Sequence, residues 1–300
     1  KKAARQTVAP ELEKRIQNII DTGLIELNDD FKIYWKNFSI ARLNSGKDYL
    51  NPKIDLIVDD IIEQNQKKKL VIFLDKWLKN KINTILKSLI DLKDLKDKNS
   101  SIKALAYQLY ENNGVLKRYQ VSEYLKKLDQ NERKTLRDLG VKFGRYHVFL
   151  HRLIKPEAVS LRTLLWKNYN QKYFNLKPPT FGLNFLEETK FKNKNFMLLC
   201  GFEKFENFFV RIDILERLFM QIISKNSEKN KEVKMVPEML NLLGCNKDNF
   251  KKLIKIMEYK IIEKNNEVYF RYFPKKDFKK PNKKIIKESP FGILKNLNLN

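Results

Sequence analysis

Between Leu70 and Leu89, nine apolar residues recur at intervals of three and four, with lysines filling the gaps. Leu70, Phe73, Leu74, Trp77, Leu78, Ile82, Ile85, Leu86 and Leu89 therefore fall on one side of a helix expected over Lys67–Leu92. A helix with one apolar stripe of that length is stable only when the stripe is buried, so the chain must supply partners for it. The stripe, with Trp77 inside it, reads as packing surface rather than a cofactor site. It commits the fold to helices packed on helices.

The rest of the chain fits a mainly α class with short β-hairpins. Pro10–Ile20 reads as a short amphipathic helix with Leu12, Ile16, Ile19 and Ile20 on one face and Gly23 as its stop. Phe31–Leu43 suggests a hairpin turning at Lys36-Asn37. After the polar break Asp91–Ser101, helices are expected over Ile102–Tyr110 and Val121–Leu139, the latter closed by Gly140. Val141–Leu150 looks extended, with Gly144 marking a bulge or a close backbone approach. Pro156 opens another helix to Tyr169, a first-turn position that suits proline.

Pro178-Pro179 and the polar residues around it read as a linker. Beyond it come a helix over Ile212–Ser224, a lysine-rich loop Lys225–Lys234, and a short helix before Gly244. A helix capped by Asn246 or Asp248 and two short strands from Ile261 to Phe270 follow. That order is the order of a winged helix. The expected division is a helix-and-hairpin segment 1–65, a helical domain 66–172, a linker 173–194, a winged-helix-like unit 195–274 and a basic tail 275–300.

Charge narrows the partners. Lysine and arginine number 61 against 36 acidic residues, a formal net charge of +25, which favours a polyanion and salt-dependent binding. The chain is also rich in Lys, Asn and Ile, so part of the charge reads as plain solvated surface. Arginine, scarce elsewhere, clusters from Arg118 to Arg162, and its planar fork suits phosphate. No apolar run is long enough to span a bilayer, and no secretory signal opens the chain. Cys200 and Cys245 stand far apart without a CxxC partner, which points to buried free thiols and a reduced, cytoplasmic compartment. A start at Lys1 rather than Met suggests a fragment or a processed chain.

The chain holds no phosphate-cradling GxxxxGK[ST] loop, no HExxH and no GxSxG. His147 and His151 are spaced for one helix face but sit in a stretch that reads as extended, so polar surface or phosphate contact competes with metal ligation. By itself the chain reads as non-catalytic and without a cofactor. The basic, aromatic segment Gly140–Trp166 supplies Lys142, Arg145, His147, Arg152 and Lys155 as candidate nucleic-acid contacts. Phe143, Tyr146 and Phe149 either stack on bases or pack a strand into the core. In the winged-helix reading, the helix after Asn246 offers Lys251 and Lys255, and the wing offers Lys264 and Arg271. For Lys142 and His147 to converge, Gly144 would have to bulge.

The segment LDQNERKTLRDLGVKFGRYHVFLHRLIKPEAVSLRTLLW resembles the accessory region of alphaproteobacterial DExH-type helicases, which are similar to the RNA helicase of the mitochondrial degradosome. In order along the chain, the tryptophan-then-ARL element Trp35…Ile40-Ala41-Arg42-Leu43, the stretch Ala106-Tyr107-Gln108-Leu109 with Gly114-Val115-Leu116, the stretch Val210–Leu218, Pro237-Glu238-Met239 with Leu243-Gly244-Cys245, and Glu288-Ser289-Pro290-Phe291 resemble the same region. The resemblance implies a bacterial helicase whose two RecA-like motors, with ATP and magnesium, lie before Lys1, leaving this part to guide a single or partly duplex strand, RNA favoured. Its partners would be those motors, the nucleic acid and a nuclease. A protein-interaction scaffold that docks the nuclease, for instance through the Lys67–Leu92 face, is the competing expectation, and a motor-free nucleic-acid-binding protein is the third.

Overall fold

The computed structural model describes residues 2–57, 63–93, 95, 100–187, 193–225 and 232–273. Contacts divide the chain into two units, Lys1–Lys225 with Pro237–Cys245, and Asn226–Val236 with Asn246–Asn300. The tail 275–300, and with it Glu288–Phe291, lies outside the described residues, as does most of the lysine-rich loop.

The first unit opens with helix α1 (Lys2–Thr22), which begins earlier than the expected start at Pro10 and carries that proline inside it. Strands β1 (Ile25–Leu27), β2 (Lys32–Trp35), β3 (Phe38–Asn44) and β4 (Lys53–Leu56) then form an antiparallel sheet in chain order. The expected turn at Lys36-Asn37 joins β2 to β3, with Lys36 at φ 53°. The long stripe follows as α2 (Gln64–Ile85) and, after a break at Leu86, α3 (Lys87–Lys93). Leu70, Leu74, Leu78, Leu86 and Leu89 are buried in the main core. The stripe is thus spent on the chain's own interior, with α1, β4 and a later helix, Pro156–Tyr169, against α2.

Helix α4 (Ser100–Glu111) leads to β5 (Val115–Lys117), then α5 (Ser122–Lys127) and α6 (Gln130–Asp138). One helix was expected over Val121–Leu139. Asp129 divides it: its carboxylate accepts the Glu132 N–H at 2.7 Å while Glu132 accepts the Asp129 N–H at 2.8 Å, a capping box that starts α6 afresh. Gly140, at φ +93°, ends α6 in a conformation that other residues rarely adopt. Strands β6 (Val141–Phe143) and β7 (His147–Leu150) follow, then a 3-10 turn at His151–Ile154 and α7 (Pro156–Tyr169). Buried residues lie all round α7, from Ala158 to Asn168, the sign of a helix enclosed by its neighbours. It packs on α2, on β3 and on the next helix, so residues 1–65 and 66–172 share one core rather than forming separate segments.

The expected linker is not structureless. β8 (Phe185–Glu187) lies inside it and pairs antiparallel with β10 (Phe208–Arg211), which also pairs with β9 (Phe202–Lys204). Three residues are too few to display an alternating pattern, and their hydrogen-bond partner arrives only with β10. Between them α8 (Lys194–Leu199) is capped by the Asn193 side chain. Helix α9 (Ile212–Lys225) and, after β11 (Val233–Lys234) of the other unit, α10 (Pro237–Leu243) complete the first unit.

The second unit contains β11, helix α11 (Lys247–Ile256) and the hairpin β12 (Tyr259–Lys264) and β13 (Glu267–Tyr272), in sheet order β11-β13-β12. Asn246 caps α11 by accepting the Asn249 N–H at 2.8 Å. Phe250, Leu253 and Ile254 of α11 are buried, and the Phe250 ring lies 5.9 Å from that of Phe270. Asn265 and Asn266 both have positive φ, 50° and 61°, as a two-residue hairpin turn of the primed type demands.

Candidate nucleic-acid interface

Val141–Leu150, expected as one extended stretch, is a hairpin. Lys142 pairs with Phe149 and Phe143 with Val148, and the Gly144 N–H donates to the His147 carbonyl at 2.8 Å to close the turn. What decides the turn is a residue far along the chain. The Glu216 carboxylate of α9 accepts the backbone N–H groups of Arg145, Tyr146 (2.9 Å) and His147 (2.7 Å). A side chain at Gly144 would collide with that carboxylate, so the glycine is there for close approach rather than for a bulge. The turn's acceptors are held from the other side: Arg118 donates its backbone N–H to the Tyr146 carbonyl and its guanidinium to the Gly144 carbonyl, both at 2.7 Å. A carboxylate takes the donors and an arginine takes the carbonyls, so the turn is held from both sides.

His147 was expected to reach nucleic acid, and the structure corrects this. It is buried, with Nδ1 2.9 Å from Glu216 Oε1 and Nε2 3.5 Å from Glu203 Oε2. Lys117 joins Glu203 at 2.9 Å. Burial by itself lowers the His147 pKa, but the hydrogen bonds and charges of Glu203 and Glu216 outweigh it and leave the imidazole above its ordinary value. For Glu203, burial pushes the carboxyl up, yet His147 and Lys117 bring it below its ordinary value. His147 lies between two carboxylates that favour its charged form, and Lys142 and His147 do not converge.

Glu203, Glu216 and Lys117 were not singled out from the sequence, and Arg118 was named only as one end of the arginine cluster. Glu216 did leave a signal: with Ile212, Leu215 and Phe219 it occupies the buried face of α9, a carboxylate at a core position. Such a position demands a partner.

With the turn fixed, Lys142 of β6 and Arg217 of α9 line a shallow hollow of about 390 Å³, together with His151, Arg211 and Met220. Arg211 is engaged by Asp213 at 2.7 and 3.2 Å. Lys142 and Arg217 have no acidic partner among the described residues and are exposed. The hollow's two carboxylates, Asp213 and Glu216, are both committed to protein donors. It therefore presents uncompensated positive charge.

The other expected contacts divide. Arg145 is exposed at the turn, its guanidinium 6.0 Å from the Tyr146 ring centre. Arg152 and Lys155 are exposed on the segment after β7 but do not line the hollow. Phe149 is core, packed with Val115 and Ile212. Phe143 is half-buried beneath Arg137, and Tyr146 is half-buried with its ring edge-on to Phe219 at 4.8 Å. In the second unit, Lys251 pairs with Glu263 at 2.5 Å and Lys264 with Glu232 at 2.9 Å, so neither is an unengaged cation. Lys255 and Arg271 are exposed. Arg271 pairs across the hairpin with Lys260, on the sheet face opposite buried Phe270 and Val268, whereas Lys255 belongs to the helix covering the other face. The structure does not bring those two together.

Among the described residues no cluster of His, Cys, Asp and Glu could hold a metal ion, and no helix is long and apolar enough to cross a membrane. Both cysteines are free.

Comparison with known proteins adds one partial likeness. The large subunit of exodeoxyribonuclease 7 from Mycoplasma mycoides subsp. mycoides is 27% identical over 172 residues, covering 54% of this chain and 34% of that protein. The chain thus spans about a third of the length of the relative it matches. No family model matches the chain, and no solved structure matches it.

Proposed function

We propose that this chain binds single-stranded nucleic acid at the hollow between the β6–β7 hairpin and α9. We further propose that it serves as the strand-guiding accessory part of an ATP-dependent helicase, RNA favoured, whose motor supplies the ATP and magnesium chemistry. The observation that carries the binding reading is the clamp on Glu216. It commits one carboxylate of the hollow to backbone donors, while Lys142 and Arg217 line the same hollow exposed and without an acidic partner among the described residues. Such cations neutralise phosphates, and release of counterions drives the association.

Three further features support the reading. The chain carries a formal net charge of +25. The partial relative bears the name of an enzyme that acts on DNA. The helicase resemblance runs through the hairpin and through α9, the two elements that build the hollow.

The test is binding of the whole chain to fluorescent single-stranded RNA, single-stranded DNA and duplex across a salt series. Lys142→Ala with Arg217→Ala should lower affinity and flatten the logarithmic salt slope by about 1.4 for a single strand. A slope and affinity equal to those of the unaltered chain would place binding elsewhere.

A further inference from the structure

A second concavity, of about 900 Å³, lies on the first unit between α4, the end of α7 and the loop before β4. It differs in character from the basic hollow, because aromatic rings form its walls. Tyr107 and Tyr110 come from α4, Trp166 and Tyr169 from α7, and Tyr49 from the loop.

We infer that this cleft is a stacking site for unpaired bases of the same nucleic-acid strand. The inference rests on the strand-binding reading above and adds to it where the bases go. Two tyrosines are unusually open for their size: Tyr107 is 65% exposed and Tyr169 44%. Large apolar surface left open inside a concavity marks a place where something flat is received. On α4, Lys103, Tyr107, Tyr110 and Glu111 share one face, opposite the buried Ile102, Leu105, Ala106 and Leu109. That face sets one cation beside two rings, and single strands are held by such a combination: phosphates on cations, bases on aromatics. Lys93 adds a second cation, its Nζ 5.5 Å from the Tyr110 ring centre.

The acidic residues of the cleft do not cancel this charge pattern. Asp48 is committed to its own loop, accepting the Leu50 N–H and both of its oxygens the Asn51 amide, each at 2.9 Å. Glu111 is exposed and supplies an acceptor for the exocyclic amino group of a base. The floor carries an unsatisfied group as well: the Tyr49 hydroxyl is buried without a hydrogen-bond partner within the protein. Burial holds that phenol well above its ordinary pKa, so it stays neutral beneath the cleft. Trp166 is backed by Tyr173, stacked on it at 5.2 Å and 15°.

The experiment compares two strands on the whole chain: a short oligouridine RNA and a ribose-phosphate strand of equal length without bases. Replacing both open tyrosines, Tyr107→Ala with Tyr169→Ala, should weaken the base-bearing strand about 10-fold and leave the abasic strand unchanged. Tyr107→Phe, which keeps the ring, should bind as the unaltered chain does. The Lys142→Ala, Arg217→Ala pair should weaken both strands alike, which separates the two sites. If the tyrosine variant binds both strands normally, the stacking site is refuted while the basic hollow stands. If the unaltered chain binds neither strand, strand binding fails, and the cleft is then judged on uridine monophosphate: aromatic NMR resonances of Tyr107 and Tyr169 that do not move refute it too, and resonances that do move uphold it.

Discussion

Replacing Glu216 with alanine should be among the most destabilising single changes in the first unit, and the structure says roughly by how much. The carboxylate accepts three backbone N–H groups and faces the His147 imidazole. The His147 amide is buried, so leaving it unsatisfied costs about 2 kcal/mol, and the two partly buried amides, which water can reach, cost about 1 kcal/mol each. His147 also loses one of two counter-charges, while relaxation of the turn recovers part of the loss, so a net figure of ~4 kcal/mol is expected. The assay is urea unfolding followed by tryptophan emission. Trp35, Trp77 and Trp166 all belong to the first unit, so the signal reports that unit alone. With an m-value of ~3 kcal/mol/M the midpoint should fall by about 1–1.5 M. Gly144→Ala should produce a comparable fall, because its methyl displaces the same carboxylate. A shift below about 0.3 M for Glu216→Ala, beyond the usual extrapolation error, would refute the view that the turn depends on this residue.

Stability should also depend on pH through His147. Its folded pKa lies above the ordinary value, so its contribution is complete below about pH 6.5 and is lost as pH rises through the folded pKa; urea midpoints taken from pH 6 upward should fall in the unaltered chain and stay level, on this account, in His147→Gln. Arg162 is fully buried and donates to the carbonyls of Asn113 (2.7 Å), Leu153 (3.1 Å) and Leu199 (2.5 Å), tying three segments together. Arg162→Lys cannot serve all three and should cost about 3 kcal/mol by the same unfolding assay. Asp129→Ala removes the cap that separates α5 from α6 and should cost about 1 kcal/mol, whereas Asp129→Ser should restore most of it. Burial pushes the Cys200 thiol up to about 12 and that of Cys245 to about 11, so a thiol reagent at pH 8 should label neither rapidly until the chain is unfolded.

Local chemistry was legible where it sufficed by itself. The stripe from Leu70 to Leu89, the turn at Lys36-Asn37, the cap at Asn246 and the first-turn proline at Pro156 each name their structure within a few residues, and each is found there. Features whose cause lies far along the chain were not. The turn at Gly144–Tyr146 is made by Glu216, so the sequence around it shows only a basic, aromatic stretch that looks extended. For the same reason His147 looked like surface: its counter-charges come from β9 and α9. β8 looked like linker because β10 supplies its partner. Of the candidate site, Lys142 was visible and Arg217 was not, since only the folded hairpin places that helix beside it.

The distance along the chain between the turn and its carboxylate sets an order of events during synthesis. Arg145 and Glu216 are 71 residues apart. At a ribosomal rate of ~5–20 residues per second, the hairpin waits several seconds for the residue that completes it. Until then its amides are open to any passing anion, and the segment is at its most vulnerable to proteases. A polypeptide cut between residues 166 and 216 would keep the whole basic stretch yet lack the carboxylate that shapes its turn.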